Sequence, residues 1–133
     1  MTGTSILLVD DSLHNLKLMR FLLGQEGFEV RTAENAEQAL LALEKHIPNL
    51  ILMDIQLPGM DGLQLTRHLR RDASLSGVPI VAFTASAIKG DEEIARASGC
   101  DGYVTKPIDT RTLGNIVRGY LNQDLPARPQ ASA

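Results

Sequence analysis

The sequence predicts an α/β fold: a doubly wound, five-stranded parallel sheet with five helices. Three observations predict it. Short apolar runs of strand length alternate with longer segments in which apolar residues recur at helical spacing. Most of the short runs are apolar throughout, which marks strands buried on both faces, as in a parallel sheet covered by helices. The chain is 44% hydrophobic yet only 4% aromatic and lacks Trp, so its core is built from aliphatic side chains.

The first run, Ser5-Ile6-Leu7-Leu8-Val9, stops at Asp10-Asp11. Leu13, Leu16, Met19, Leu22 and Leu23 then recur at helical spacing behind Ser12, an N-cap type, and Gly27 marks the helix end. Phe28-Glu29-Val30-Arg31-Thr32 alternates instead, which predicts a strand nearer an edge. Ala36, Ala39, Leu40 and Leu43 mark a second helix that ends before Pro48. Leu50-Ile51-Leu52-Met53 repeats the form of the first strand and stops at Asp54. Pro58-Gly59 reads as a turn, and Leu63, Leu65 and Leu69 mark a third helix with Asp61 as its cap. Val78 to Phe83 is the fourth strand and stops at Thr84. The stretch 87–98 is a fourth helix, the least amphipathic, and Gly90 weakens its start. Gly102-Tyr103-Val104-Thr105 is a short fifth strand that ends at Lys106-Pro107. Leu113, Ile116, Val117, Tyr120 and Leu121 define the last helix, capped by Asp109 or Thr110. Strands alternating with helices give βα units with right-handed crossovers. Residues 4–122 therefore form one domain, and 123–133, rich in Pro and Ala, reads as a disordered tail.

Composition narrows the function. A chain of 133 residues is sized for one domain with its own core. Thirteen basic residues against 16 acidic ones, net charge −3, give no sign of the basic excess that marks nucleic-acid binders. The apolar runs are too short to span a bilayer, and no basic segment precedes the first of them as in a signal peptide. A single Cys excludes an intrachain disulfide framework and fits a cytoplasmic protein.

The chemistry gathers at the strand ends. Ligands of an open parallel sheet bind outside the carboxyl ends of its strands. There the sequence places Asp10-Asp11, Asp54, Thr84 and Lys106. Any one of these alone could be a helix cap or a surface residue. Together they make a different pattern. Clustered carboxylates repel one another unless a cation sits among them, and hard oxygen ligands in small number suit Mg²⁺. A hydroxyl and an ammonium on the far side suit phosphoryl oxygens. A carboxylate can attack phosphorus to give an aspartyl phosphate, so the set points to phosphoryl transfer onto Asp.

These residues also match a known family. ILLVDDS, LILMDIQLPGMDGLQL, IVAFTASA and GYVTKPID, in this order and spacing, resemble the receiver domain of two-component response regulators, from about Thr4 to Asn122. The stretch TASAIKGDEEIARASGCDGYVTKPID resembles single-domain regulators of the DivK type and the receivers of hybrid kinases. The resemblance implies a flavodoxin-like sheet of order 2-1-3-4-5. It implies Asp54 as phosphoacceptor, with Asp11, Asp54 and the backbone carbonyl of Gln56 ligating Mg²⁺ and Asp10 acting through water. It implies that Thr84 and Lys106 hold the phosphoryl group and that Tyr103 is the switch aromatic. Gln56 and Ser86 would tune hydrolysis of the acyl phosphate, and Lys106-Pro107 is a candidate cis peptide. The implied function is a signalling switch, catalysing its own phosphorylation and slow autodephosphorylation. Its phosphate would come from a sensor histidine kinase or a histidine phosphotransfer protein, and it would act as a monomer or weak dimer on a downstream protein through the face made by helix 4, strand 5 and helix 5. Added phosphate charge would move that face, for which the weakly amphipathic helix 4 is suited.

Three other readings compete. A non-phosphorylated adaptor is one, against which the complete acidic set argues. The chain could be a receiver excised from a hybrid histidine kinase. It could also be a Mg²⁺-dependent phosphatase, but haloacid-dehalogenase-like enzymes carry a second Asp two residues after the nucleophile, and here that residue is Gln56. His14, His46 and His68 read as solvated helix positions without ligand spacing, and Cys100 as a small buried residue. Arg67, Arg70 and Arg71 form a short basic patch that reads as a solvated helix face.

Overall fold

A computed structural model describes residues 4–57, 59, 62–84, 91–105 and 111–122. Along the chain they form β1 (Ser5–Val9), α1 (Leu13–Gln25), β2 (Glu29–Ala33), α2 (Ala36–Lys45), β3 (Leu50–Asp54), α3 (Gly62–Arg70), a 3₁₀ turn (Ala73–Leu75), β4 (Ile80–Thr84), α4 (Asp91–Ala97), β5 (Gly102–Thr105) and α5 (Leu113–Asn122). The sheet is five-stranded and parallel, in the order β2-β1-β3-β4-β5. No helix of the described residues is long and apolar enough to cross a membrane.

Strand alternation splits the core in two. Leu7, Val9, Ile51, Met53, Ile80 and Ala82 face the layer of α2, α3 and α4. Ile6, Leu8, Leu50, Leu52, Val81 and Phe83 face α1 and α5, where Leu16, Met19, Leu23, Leu113 and Val117 pack on them. β1 and β3 are buried along their whole length, so their sequences are apolar runs and not alternations. β2 lies at one edge with exposed Glu29, Arg31 and Thr32, as its alternating sequence predicts.

Helix ends follow local chemistry. Ser12 caps α1 by accepting the Asn15 N–H, and Asn35 caps α2 by accepting the Gln38 N–H at 2.8 Å. Gly27 takes φ +92° just past α1, and the Phe28 N–H returns to the Leu23 carbonyl at 3.2 Å. That bond enlists Phe28 in the helix ending, so β2 runs from Glu29 to Ala33 and not from Phe28 to Thr32. The expected caps at Asp61, Asp109 and Thr110 lie outside the described residues, as do Gly90 and residues 123–133.

The basic patch on α3 is corrected. Arg71 is exposed, but the Arg70 guanidinium is buried. It donates to the carbonyls of Gly99 (2.9 Å), Leu75 (3.0 Å) and Val78 (2.9 Å) and to Asp101 Oδ2 (2.7 Å). Asp101 Oδ2 also accepts the Ile80 N–H at 3.0 Å. One side chain thereby ties α3 to the 3₁₀ turn, the start of β4 and the turn before β5. Arg67 adds a bond to Ser98 Oγ at 3.0 Å. Gly99 sits at φ +115° against the Arg70 stem, where a Cβ would meet Arg70 Cγ at 2.6 Å. His46 is also corrected: it is the C-cap of α2, half-buried, with Nε2 at 2.8 Å from the Oγ of buried Ser5. His14 and His68 are exposed, as expected. Cys100 is buried near Thr66 Oγ1 (3.7 Å), and burial pushes its thiol up to about 11.

Candidate functional site

β1 and β3 pair in register, Val9 opposite Met53. Asp10 follows the last residue of β1 and Asp54 is the last residue of β3, so the two carboxylates emerge at the carboxyl edge of the sheet. Both sit at the ends of strands that the core has already fixed, and both are buried, Asp10 at 0% and Asp54 at 4% exposure. Asp11 is exposed, one residue further into the turn that leads to α1. Carboxylate oxygens of Asp10, Asp11 and Asp54 all lie within 4.8 Å of one another.

Each buried carboxylate is oriented by nearby N–H groups. Asp10 Oδ1 accepts the Ser12 N–H at 2.9 Å, and Oδ2 accepts from Asn15 Nδ2 at 3.2 Å. Asp54 Oδ1 accepts the Gln56 N–H at 2.9 Å. The loop beyond Asp54 is folded tightly against it, with the Gly62 N–H on the Ile55 carbonyl at 2.7 Å. A Cβ on Gly62 would overlap the Asp54 carbonyl oxygen and stand 2.8 Å from Ile55 Cα. Only glycine lets α3 begin so close to the phosphoacceptor candidate.

Three negative groups in so small and partly buried a space repel one another and resist desolvation. A hard divalent cation relieves both. Mg²⁺ takes hard oxygen ligands, carboxylates above all, so this donor set fits its chemistry.

The remaining strand ends converge on the same edge. Asp54 pairs with Phe83, and Thr84 is the next residue of β4. Thr84 pairs with Thr105, the last residue of β5, after which the chain reaches Lys106. Lys106, Pro107 and Ser86 lie outside the described residues. Tyr103, opposite Ala82 in β5, is half-buried and packs on the α2–α3–α4 side of the core. Two residues of the site escaped the sequence reading. Gly62 flanks the loop after Asp54, and nothing in the sequence marks its close approach to the strand end. Asn15 sits three residues after a helix cap, where a side-chain donor can reach back to the strand end.

The response regulator receiver domain family matches the chain over residues 6–118. The polar-differentiation response regulator DivK of Brucella anthropi is 42% identical over 117 residues, 88% of this chain and 95% of that protein. DivK of Brucella ovis is 44% identical over 118 residues, with the same coverage. Among solved structures, the chemotaxis response regulator CheY4 of Vibrio cholerae superposes with a TM-score of 0.84 at 26% identity, over 90% of this chain and 99% of that one. Fold, sheet order, acidic strand ends and sequence all agree, and the chain belongs to the family of response regulator receiver domains.

Proposed function

We propose that the protein is a phosphorylation switch that takes a phosphoryl group from a phospho-histidine of a sensor kinase or phosphotransfer protein onto Asp54. The observation that carries this reading is the position of Asp54. It is a buried carboxylate at the end of a central strand, with two further carboxylates inside 4.8 Å.

The chemistry asks for little covalent machinery. An Asp54 carboxylate oxygen attacks phosphorus, the P–N bond to the donor imidazole breaks, and its electron pair returns to the ring. The Gln56 N–H on Oδ1 fixes the rotation of the carboxylate before attack. Asp10, Asp11 and Asp54, with the backbone carbonyl of Gln56, would hold Mg²⁺, which when bound neutralises charge between carboxylates and phosphoryl oxygens. Thr84 and Lys106 are the partners for the remaining oxygens. Gln56, exposed beside the acceptor, and Ser86 tune water access and so the rate of autodephosphorylation.

The donor is a protein surface. α1 begins two residues after Asp11 and leaves Leu13, Leu18 and Phe21 exposed to a partner. The output face is that of α4, β5 and α5. Tyr103 is half-buried there, between core and surface, and α4 exposes Ile94. Phosphate charge draws Thr84 and Lys106 inward, and Tyr103 follows into the space that Thr84 leaves.

The test is phosphate uptake from acetyl phosphate and from a phosphorylated histidine kinase. Wild-type protein incorporates one acid-stable, base-labile phosphate in Mg²⁺, and Asp54→Asn incorporates none. Equal labelling of both proteins would overturn the assignment of Asp54.

A further inference from the structure

The Asp10 carboxylate is held by a device that lies outside the acidic set. Its Oδ1 accepts the Ser12 backbone N–H at 2.9 Å, and its Oδ2 accepts from Asn15 Nδ2 at 3.2 Å. Asn15 is itself pinned, because its own backbone N–H donates to Ser12 Oγ at 3.3 Å. Asp10, Ser12 and Asn15 thus form a closed local unit across the turn from β1 to α1. Only the amide nitrogen of Asn15 can face a carboxylate oxygen, so charge fixes the orientation of the amide.

Helix stability does not explain an Asn at this position. The N-cap role belongs to Ser12, and Asn is a poorer helix former than Ala or Leu. The torsion that sets a carboxylate plane is soft and roughly two-fold. A donor on each oxygen holds that plane more firmly than donors on one oxygen alone.

We infer that Asn15 is a positioning residue of the cation site: its side-chain amide locks the plane of the buried Asp10 carboxylate so that the three acidic groups converge before the cation arrives. This inference rests on the reading of Asp10, Asp11 and Asp54 as a Mg²⁺ site. Residues that orient the groups around a metal commonly change its affinity by about 10–100-fold when removed. Here Asn15→Leu keeps the volume, removes the donor and excludes water from its place. Asn15→Ala removes the donor but leaves room for a water to stand in. The expected order of Mg²⁺ affinity is therefore wild type, then Asn15→Ala, then Asn15→Leu, the last weakened about tenfold.

The experiment is a titration of unphosphorylated protein with MgCl₂, followed by the amide resonances of Ser12 and Gln56. Thermal midpoints in EDTA are measured alongside. The inference predicts weaker Mg²⁺ binding in that order while the EDTA midpoints stay within a few degrees of wild type. Mg²⁺ affinities within twofold across the three proteins would overturn it. So would a loss of affinity that merely tracks a loss of stability in EDTA. Failure of wild-type protein to bind Mg²⁺ at millimolar concentration would instead overturn the reading of the acidic site itself.

Discussion

Removal of the Arg70 guanidinium should be among the most damaging single changes outside the acidic site. Arg70→Met keeps most of the aliphatic stem and deletes the four bonds to Gly99, Leu75, Val78 and Asp101. Both partners of the ion pair are nearly inaccessible, at 6% and 5% side-chain exposure. Breaking a buried pair from one side costs about 3–5 kcal/mol, mostly because a buried charge loses its partner. A domain of this size is stable by about 5–15 kcal/mol, so the variant loses about a fifth of its margin or more. At about 3–5 °C per kcal/mol the thermal midpoint falls by about 10–25 °C. The exposed pair Glu26–Arg118, at 3.0 Å, is the control, and Arg118→Ala should cost less than about 1 kcal/mol. Adding Asp101→Asn to Arg70→Met gives the decisive comparison. The amide retains an oxygen for the Ile80 N–H but carries no charge, so the double variant should be more stable than Arg70→Met alone by about 1–2 kcal/mol. Urea unfolding at neutral pH measures all four proteins. An Arg70→Met loss no larger than that of Arg118→Ala, or a double variant weaker than the single one, would mean that the buried pair does not hold these elements together.

Gly62→Ala forces a methyl group into the Asp54 carbonyl and Ile55 Cα, so it should lower stability by about 1–3 kcal/mol in urea unfolding. It should also slow phosphate uptake, because the backbone of the acceptor must shift. Asp11→Asn should weaken Mg²⁺ binding in calorimetry without unfolding the chain, since Asp11 is exposed and lies beyond the strand. The Cys100 thiol, raised by burial from 9.0 to about 11, stays protonated in the native state until the unfolded state has already lost its proton. Stability should therefore fall by about 1.4 kcal/mol for each pH unit between 9 and 11, and Cys100→Ala should remove that part of the slope. Native protein at pH 8 should react with thiol reagents only at the rate of unfolding, which quench-flow labelling with and without urea can check.

The acidic site could be read from the sequence because strand ends are local facts. An apolar run that halts at Asp10-Asp11 or at Asp54 announces both the strand and the group that leaves it. Parallel pairing then brings the ends together without further instruction, as Val9 opposite Met53 does. The bond from Asn15 to Asp10 spans only five residues, yet no periodic pattern marks it. It depends on a helix starting at Leu13 and not a residue earlier or later, and that start is set by the Ser12 cap.

The arginines of α3 show where residue type misleads and phase does not. Arg67, Arg70 and Arg71 look alike as a cluster, and a charged cluster on a helix suggests a solvated face. The helix itself separates them. Its buried residues are Gly62, Leu65, Thr66 and Leu69. At about 100° per residue, Arg70 lies about 40° from Thr66 around the axis, at the shoulder of the buried stripe, whereas Arg71 lies about 140° away on the opposite side. Arg70 was therefore the one arginine whose stem had to run along the core, and an arginine there must find acceptors for its guanidinium. What no helical wheel supplies is their identity. They are three carbonyls at the ends of other elements and a carboxylate 31 residues away. Those groups meet only once β4 and β5 have taken their places in the sheet. The same order of events explains the contrast with the acidic site: the sheet brings its carboxylates together directly, whereas the Arg70 cluster requires the sheet and the helix layer to be assembled first.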